Sequence, residues 1–218
     1  MSFPKEFFSK DYFFGKTNSN YGDYDKWDNN RYWRTIISTV ERHGIEGRSL
    51  DVGCAFGFLL KRLKPYFKEI HGVDISEFAI TKAREEVPVA VLKIMNIEIE
   101  KLPYPDRYFD LITALDVLEH TESIEASLKK IIGKLKDNGF LIISMPFKDT
   151  LPGRLFHLID KDASHISVLK RKELFNIINR VGLNILEKRY FSGAHYKPKF
   201  FPSNIEIVLQ KSDQGVEI

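Results

Sequence analysis

Apolar positions along the chain fall into two alternating rhythms. Short, nearly unbroken apolar runs occupy 48–53 (RSLDVG), 69–75 (EIHGVDI), 89–98 (VAVLKIMNIE), 107–116 (RYFDLITALD) and 139–147 (GFLIISMPF). Between them, over 56–67, 76–87 and 123–139, apolar residues recur three or four apart. Runs of the first kind predict strands covered on both faces; stretches of the second kind predict amphipathic helices. Ser76 is placed to cap the second helix. Pro65 stops the first, and Gly139 suits the end of the third. A further helix over 171–183 and strands over 184–191 and 205–211 complete the pattern.

Strand and helix alternating with short joints imply right-handed crossovers. The expected fold is α/β: a Rossmann-like, doubly wound sheet of seven strands, mostly parallel. Only a short loop separates the last two strands, which predicts an antiparallel pair at one edge. Two segments depart from the rhythm. Residues 1–40 form an N-terminal extension, and 41–212 form the main domain, with an insertion over 147–166. The polar tail KSDQGVEI is expected to fray.

Length and composition narrow the picture. At 218 residues and 43% apolar content, the chain suits one domain with one core. Net charge is +3, which excludes neither a nucleic-acid nor a small-molecule partner, and no long basic run argues for the former. A single cysteine, Cys54, forbids an internal disulfide and fits a reducing cytoplasm. The opening MSFPKEFFSKDYFFGK lacks the apolar core of a signal peptide. No apolar run approaches the ~18 residues of a membrane helix. A cytoplasmic monomer or homodimer is expected.

The bend LDVGCAFGFLL carries the first chemical signal. Ligands of open α/β sheets bind beyond the carboxyl ends of the strands, at the switch in strand order. Gly53 and Gly57 let backbone approach a ligand there, and the next helix directs free N–H groups at it. The dinucleotide pattern G-x-G-x-x-G fails, because Ala55 and Phe58 hold its second and third glycine places. Asp51, just before the turn, instead suits a ligand with a positive charge. Cys54 reads as a small loop residue rather than a reactive thiol.

The bend resembles motif I of class I S-adenosylmethionine-dependent methyltransferases, with Ala55 at the middle glycine. Four further segments follow in order: GVDIS, MNIE, LPYPDRYFDLITALDVLEHTES and LKDNGFLIISMP. Together with HISVLKRKELFNIINRVGL they extend the likeness over roughly Ser49 to Ile185. The resemblance, to the small-molecule and quinone-biosynthesis-like group, implies an enzyme binding S-adenosylmethionine and releasing S-adenosylhomocysteine. It places Asp51, Gly53, Cys54, Ala55 and Gly57 at the cofactor. Asp74, with Ile75 beside it, takes the ribose hydroxyls. Asn96 stands where the family usually has an aspartate at the adenine, with Ile97 and Leu115 nearby. Asn96 can still accept a hydrogen bond through its carbonyl oxygen.

Transfer of a methyl group from a sulfonium neutralises charge, so orientation dominates, and a base is needed only if the nucleophile keeps a proton. Asp116, Glu119 and His120 in DVLEH are the nearest chemistry. Three roles stay open for Glu119 and His120. They can cap and orient the next helix. His120 can act as base, since histidine titrates near neutrality. Or Asp116, Glu119 and His120 can hold a divalent cation, as in some quinone-biosynthesis relatives; oxygen ligands would favour magnesium or calcium, though no metal is expected. His165 shapes the acceptor pocket or makes a loop hydrogen bond, and His157 reads as a surface residue.

Eleven of the 28 aromatic residues precede Arg34. Most are expected to pack on the sheet. In similar methyltransferases this region covers the site, so a lid is expected, with rings near the sulfonium by cation–π attraction. Tyr12, Tyr21, Tyr32 or Arg34 should supply at least one cofactor contact, Arg34 by pairing with the carboxylate. The acceptor is expected to be a small molecule. An RNA or tRNA methyltransferase, or a binding protein without catalysis, are the alternatives. Against nucleic acid stand ALDVLEH, where base-amine methylation typically uses an Asn-Pro-Pro-aromatic motif, and the lack of a thiol outside the cofactor loop.

Overall fold

Apolar runs bounded by turns assemble here as parallel strands because helices cover both faces. In the computed structural model, which describes residues 3–16, 19–29, 32–192 and 202–212, the strands are β1 (Gly47–Val52), β2 (Phe67–Asp74), β3 (Val91–Ile94), β4 (Phe109–Leu115), β5 (Leu135–Pro146), β6 (Leu183–Phe191) and β7 (Asn204–Lys211). Their spatial order is β3-β2-β1-β4-β5-β7-β6. The first five run parallel, and β7 pairs antiparallel with both β5 and β6. The expected seven-stranded, mostly parallel sheet is therefore present. The strand order reverses between β1 and β4, and a crevice opens at their carboxyl ends.

The helices are α1 (Lys10–Phe13), α2 (Tyr32–His43), α3 (Phe58–Leu63), α4 (Glu77–Glu86), α5 (Ile124–Lys134), α6 (Leu151–Ile159) and α7 (Arg171–Arg180). Ser76 and Ser123 cap α4 and α5 by accepting from Ala79 and Ala126 N–H. The helix predicted over 123–139 ends at Lys134. Leu135 turns extended, is fully buried, and pairs with Phe109; the register then shifts, and Asn138 takes φ 60°. Gly139 is thus inside β5, not a helix cap. The predicted strand over 89–98 shortens to the edge strand β3, and the helix predicted over 56–67 shortens to α3.

β6 ends at Phe191 and β7 begins at Asn204, so the loop between them is longer than expected. Most of that loop, 193–201, lies outside the described residues, as do 213–218 of the tail. The insertion expected over 147–166 contains α6, capped by the Thr150 hydroxyl accepting from Gly153 N–H. The boundary drawn at residue 40 falls inside α2.

Alternation along each strand divides the core in two. Leu50, Val52, Ile112 and Ala114 join Leu128 of α5 and Ile178 of α7 on one face. Leu111, Ile142 and Val208 face the other, against Ile36 of α2 and Leu59 and Leu60 of α3. The N-terminal aromatics join this second cluster: Tyr12, Phe13 and Tyr24 are buried against Phe56 and Phe58 of the first turn. α3 lies close on β2, and Gly72 permits it. A Cβ at Gly72 would stand 2.7 Å from Leu60 and 2.8 Å from the Cys54 sulfur. Among the described residues, no helix is long and apolar enough to cross a membrane.

Candidate active site beyond the first and fourth strands

The crevice is a cavity with about 820 Å³ free of protein atoms, part of it open to solvent. Gly53 and Ala55 line it from the turn after β1, Asp74 and Ile75 from the end of β2, and Asn96 and Ile97 from beyond β3. Leu115, Asp116 and His120 line it after β4, and Phe3, Phe8, Tyr12, Phe13, Tyr21 and Tyr24 form an aromatic roof.

The first turn is shaped by backbone needs. Gly53 has φ 74°, and a Cβ there would meet the Val117 side chain at 2.2 Å. Only glycine satisfies both conditions. Ala55 adopts φ 45°, costly for a residue with a side chain. Its N–H donates to Asp74 Oδ2 at 2.8 Å, and Ser76 N–H donates to Oδ1 at 2.8 Å. Asp74 thereby ties the turn to β2 and presents both oxygens at the cavity wall. Burial raises its pKa to about 6, against the pull of these N–H donors.

Several residues expected at the cofactor are turned elsewhere. Asp51 stands opposite Thr113 in the β1–β4 register, and Thr113 O–H donates to its carboxylate at 2.6 Å. It does not line the cavity, and burial pushes its pKa to about 7. The Cys54 side chain packs into the core over Gly72, and burial pushes its thiol up. Gly57 faces Ala83 and Val87 of α4. Arg34 is exposed on α2, whose inward positions belong to Tyr32, Trp33 and Ile36. Tyr32 O–H meets the Ser144 hydroxyl rather than the cavity. Asn96 keeps its place, but its carbonyl oxygen accepts from Glu98 N–H at 2.9 Å. The oxygen keeps a second lone pair, and the amide N–H₂ can also donate to a ligand.

Beyond β4, Asp116 adopts φ 52°, a left-handed conformation at the cavity wall. Its N–H and carboxylate both engage Ser144, and burial raises its pKa. Glu119 is fully buried, and neither of its oxygens has a hydrogen-bond partner among the described residues. Burial, with Asp116 nearby, pushes it to about 8. His120 Nδ1 lies 2.8 Å from Ser164 Oγ. Burial and the neighbouring His165 lower His120 to about 4, so its imidazole is neutral at pH 7. The two rings are 4.8 Å apart. Burial opposes charge on His165, but Asp160 at 2.5 Å and Glu119 outweigh it, raising His165 to about 9. His165 does not line the cavity.

Ligand atoms of Glu119, His120 and His165 all lie within 4.8 Å of one another. The cation set considered from sequence is therefore rearranged: Asp116 is committed to Ser144, and His165 takes its place. Within that trio, His165 Nδ1 is already held by Asp160 at 2.5 Å.

Replacing Glu119 by glutamine tests its buried state. A carboxyl raised from 4.5 to about 8 holds a proton in the folded chain that the unfolded chain releases. Its stabilising contribution is complete below the unfolded pKa and is lost as pH rises toward 8. Between pH 6 and 7 the wild type should lose about 1.4 kcal/mol relative to Glu119→Gln. Urea unfolding of both proteins at the two pH values reads this; parallel changes would contradict it.

The sequence did not single out Asp160, Asp162, Ser164 or Ser144. The acid-rich run DKDASH before the last helix was the available signal. Its convergence on His120 depends on the insertion folding back, which spacing alone does not encode.

Residues 24–188 match a family model described as a methyltransferase domain. An uncharacterised protein of Methanocaldococcus jannaschii is 29% identical over 168 residues, 73% of this chain and 77% of that one. The ubiquinone biosynthesis O-methyltransferase of Coxiella burnetii is 30% identical over 160 residues, 68% of this chain and 67% of that one. Among solved structures, an S-adenosylmethionine-dependent methyltransferase from Clostridium acetobutylicum superposes with a TM-score of 0.66 at 18% identity, covering 87% of this chain and 92% of that one.

Proposed function

The chain belongs to the class I S-adenosylmethionine-dependent methyltransferases, and from that premise we propose that it methylates a hydroxyl oxygen of a small, largely apolar acceptor. The observation that carries this is a neutral His120 at the wall of an aromatic-roofed cavity, with no hydrogen bond to Nε2 among the described residues. An acceptor that arrives as an amine has a lone pair ready; one that arrives as a hydroxyl needs a group to take its proton.

S-adenosylmethionine, when bound, supplies a methyl group on a sulfonium. The residues facing the cavity fit it. Asp74 offers carboxylate lone pairs beyond those used by Ala55 and Ser76, as two neighbouring hydroxyls require. Ile75 and Ile97 offer apolar surface for a flat base, and the Asn96 amide offers a donor at its edge. Tyr12, Tyr21 and Tyr24 place rings over the cavity, suited to a sulfonium by cation–π attraction. Burial raises all three phenols well above their ordinary range, so they stay neutral. The roof also covers part of the cavity and favours an acceptor of limited size. The Coxiella burnetii relative, whose name records transfer to oxygen, supports the same choice.

Thermal unfolding with S-adenosylhomocysteine and with NAD tests the premise for this site. At ~100 times its Kd, S-adenosylhomocysteine should add about 2.7 kcal/mol, raising Tm by roughly 5–10 °C. NAD should leave Tm unchanged. The reverse order would overturn the assignment.

A further inference from the structure

We propose that Ser164 and Asp162 are positioning residues that hold the His120 proton on Nδ1 and so leave Nε2 as the proton acceptor during methyl transfer. The inference deepens the reading above and rests on it for the last clause alone.

The assignment follows from counting hydrogens. Ser164 Oγ lies 2.5 Å from Asp162 Oδ1. A carboxylate only accepts, so the single hydroxyl hydrogen of Ser164 points at Asp162. Toward His120 Nδ1, 2.8 Å away, Ser164 Oγ then has only lone pairs. The Ser164 backbone carbonyl, 3.2 Å from the same nitrogen, is likewise an acceptor. Both neighbours of Nδ1 accept, so Nδ1 carries the hydrogen. The neutral ring has one N–H, so its lone pair is on Nε2.

Asp162 is held in its accepting role. It is buried, and it also receives Ser164 N–H at 3.0 Å and Tyr12 O–H at 2.6 Å. The loop that carries both residues is stitched to the turn bearing His120: Ser167 N–H donates to Glu119 O at 2.9 Å, and Ser167 O–H donates to Thr121 O. The Tyr12 bond brings the aromatic roof into the same chain. The roof, the insertion and the base are thus joined through one carboxylate.

In the step this serves, the acceptor O–H bond breaks as its oxygen forms a bond to the methyl carbon. The carbon–sulfur electron pair stays on sulfur, and S-adenosylhomocysteine leaves neutral at that centre. The proton passes to Nε2, making His120 an imidazolium. Positive charge lost at sulfur is regained on the imidazolium, whose Nδ1–H points at acceptors backed by Asp162. The charged or titratable groups near this ring are Glu119 on its own turn, Asp116 at the end of β4, Asp160, Asp162 and His165 in the loop, and Tyr12 and Tyr21 in the roof.

Two-bond proton–nitrogen NMR correlation of the histidine rings tests this on the intact chain at neutral pH, with His120→Gln identifying the signal. The wild type should show His120 protonated on Nδ1. Ser164→Ala should shift the ring to a mixture or to the Nε2–H form, and Asp162→Asn should do the same. A wild-type ring protonated on Nε2 overturns the proposal without any variant; a Ser164→Ala ring that keeps Nδ1–H assigns the proton to the Ser164 backbone carbonyl and overturns the role given to the hydroxyl and Asp162. In activity, Ser164→Ala should lower kcat on a phenol acceptor at least about tenfold with KM for S-adenosylmethionine unchanged. Absence of S-adenosylhomocysteine binding would count against the methyltransferase site and leave the tautomer result standing.

Discussion

Asp74→Asn should weaken S-adenosylhomocysteine binding by roughly 100-fold. The carboxylate sits at the end of β2 with both oxygens on the cavity wall. Hydrogen bonds to a charged group contribute about 1.5–3 kcal/mol each. Asparagine keeps the shape but offers one accepting oxygen in place of two, and no charge. One ribose hydroxyl would lose its acceptor, and the other would face a neutral one. A summed loss near 2.7 kcal/mol is about 100-fold. The substitution also orphans either Ala55 N–H or Ser76 N–H, so some loss of stability should accompany it, about 1–3 kcal/mol. Calorimetric titration at a temperature where the variant is fully folded separates the two effects. An affinity within a few-fold of wild type would remove Asp74 from the ribose.

The pH dependence adds a second handle on the same residue. Burial sets the Asp74 pKa at about 6 in the free protein. Only the ionised form accepts at both oxygens. Wild-type affinity should be level above pH 7 and fall by up to tenfold per unit below 6. The Asn variant lacks that group and should not share the fall.

The sheet was legible because each strand is apolar enough to be recognised alone and the helices between them keep their period. Of the residues expected at the site, Asp74 ends β2 and Asn96 lies two positions beyond β3, and both line the crevice. Asp51 sits one residue earlier in its strand, and strand parity turns it against Thr113. Cys54 was misplaced for a related reason: Gly72, on the neighbouring strand, leaves the hole its side chain fills. Arg34 failed by helical phase, since Tyr32, Trp33 and Ile36 fix the inward face of α2. Contacts between the insertion and DVLEH had no local signature. They join residues some 44 positions apart, as His120 and Ser164 show. Hydrophobic periodicity specifies which faces are buried; it does not say which loops meet above the sheet.

His120→Ala should separate acceptor classes as well as test the base. Removing a general base from a hydroxyl acceptor typically costs 10²–10⁴-fold in rate. The contacts proposed for the cofactor lie on Asp74, Asn96 and the first turn, so S-adenosylhomocysteine affinity should hold. With a free amine as acceptor, the nitrogen attacks before it loses a proton, and the same variant should lose little. The experiment therefore runs wild type and variant on a panel of phenols and primary amines, measuring S-adenosylhomocysteine release at saturating S-adenosylmethionine. A large loss confined to phenols supports oxygen transfer with His120 as base. Equal rates on phenols would leave His120 a structural residue of the turn. The pH profile gives an independent reading. His120 is neutral above about 4, so the base is available across the neutral range. The neighbouring His165 loses its proton near 9. Below that pH, burial and the His165 charge together keep His120 deprotonated, so wild-type activity should stay level from pH 6 to 8. A profile that instead climbs with an apparent pKa near 6.5 would mean His120 stands in a watery, unshielded setting. The Ser164 contact and the aromatic roof would then not be what governs its proton.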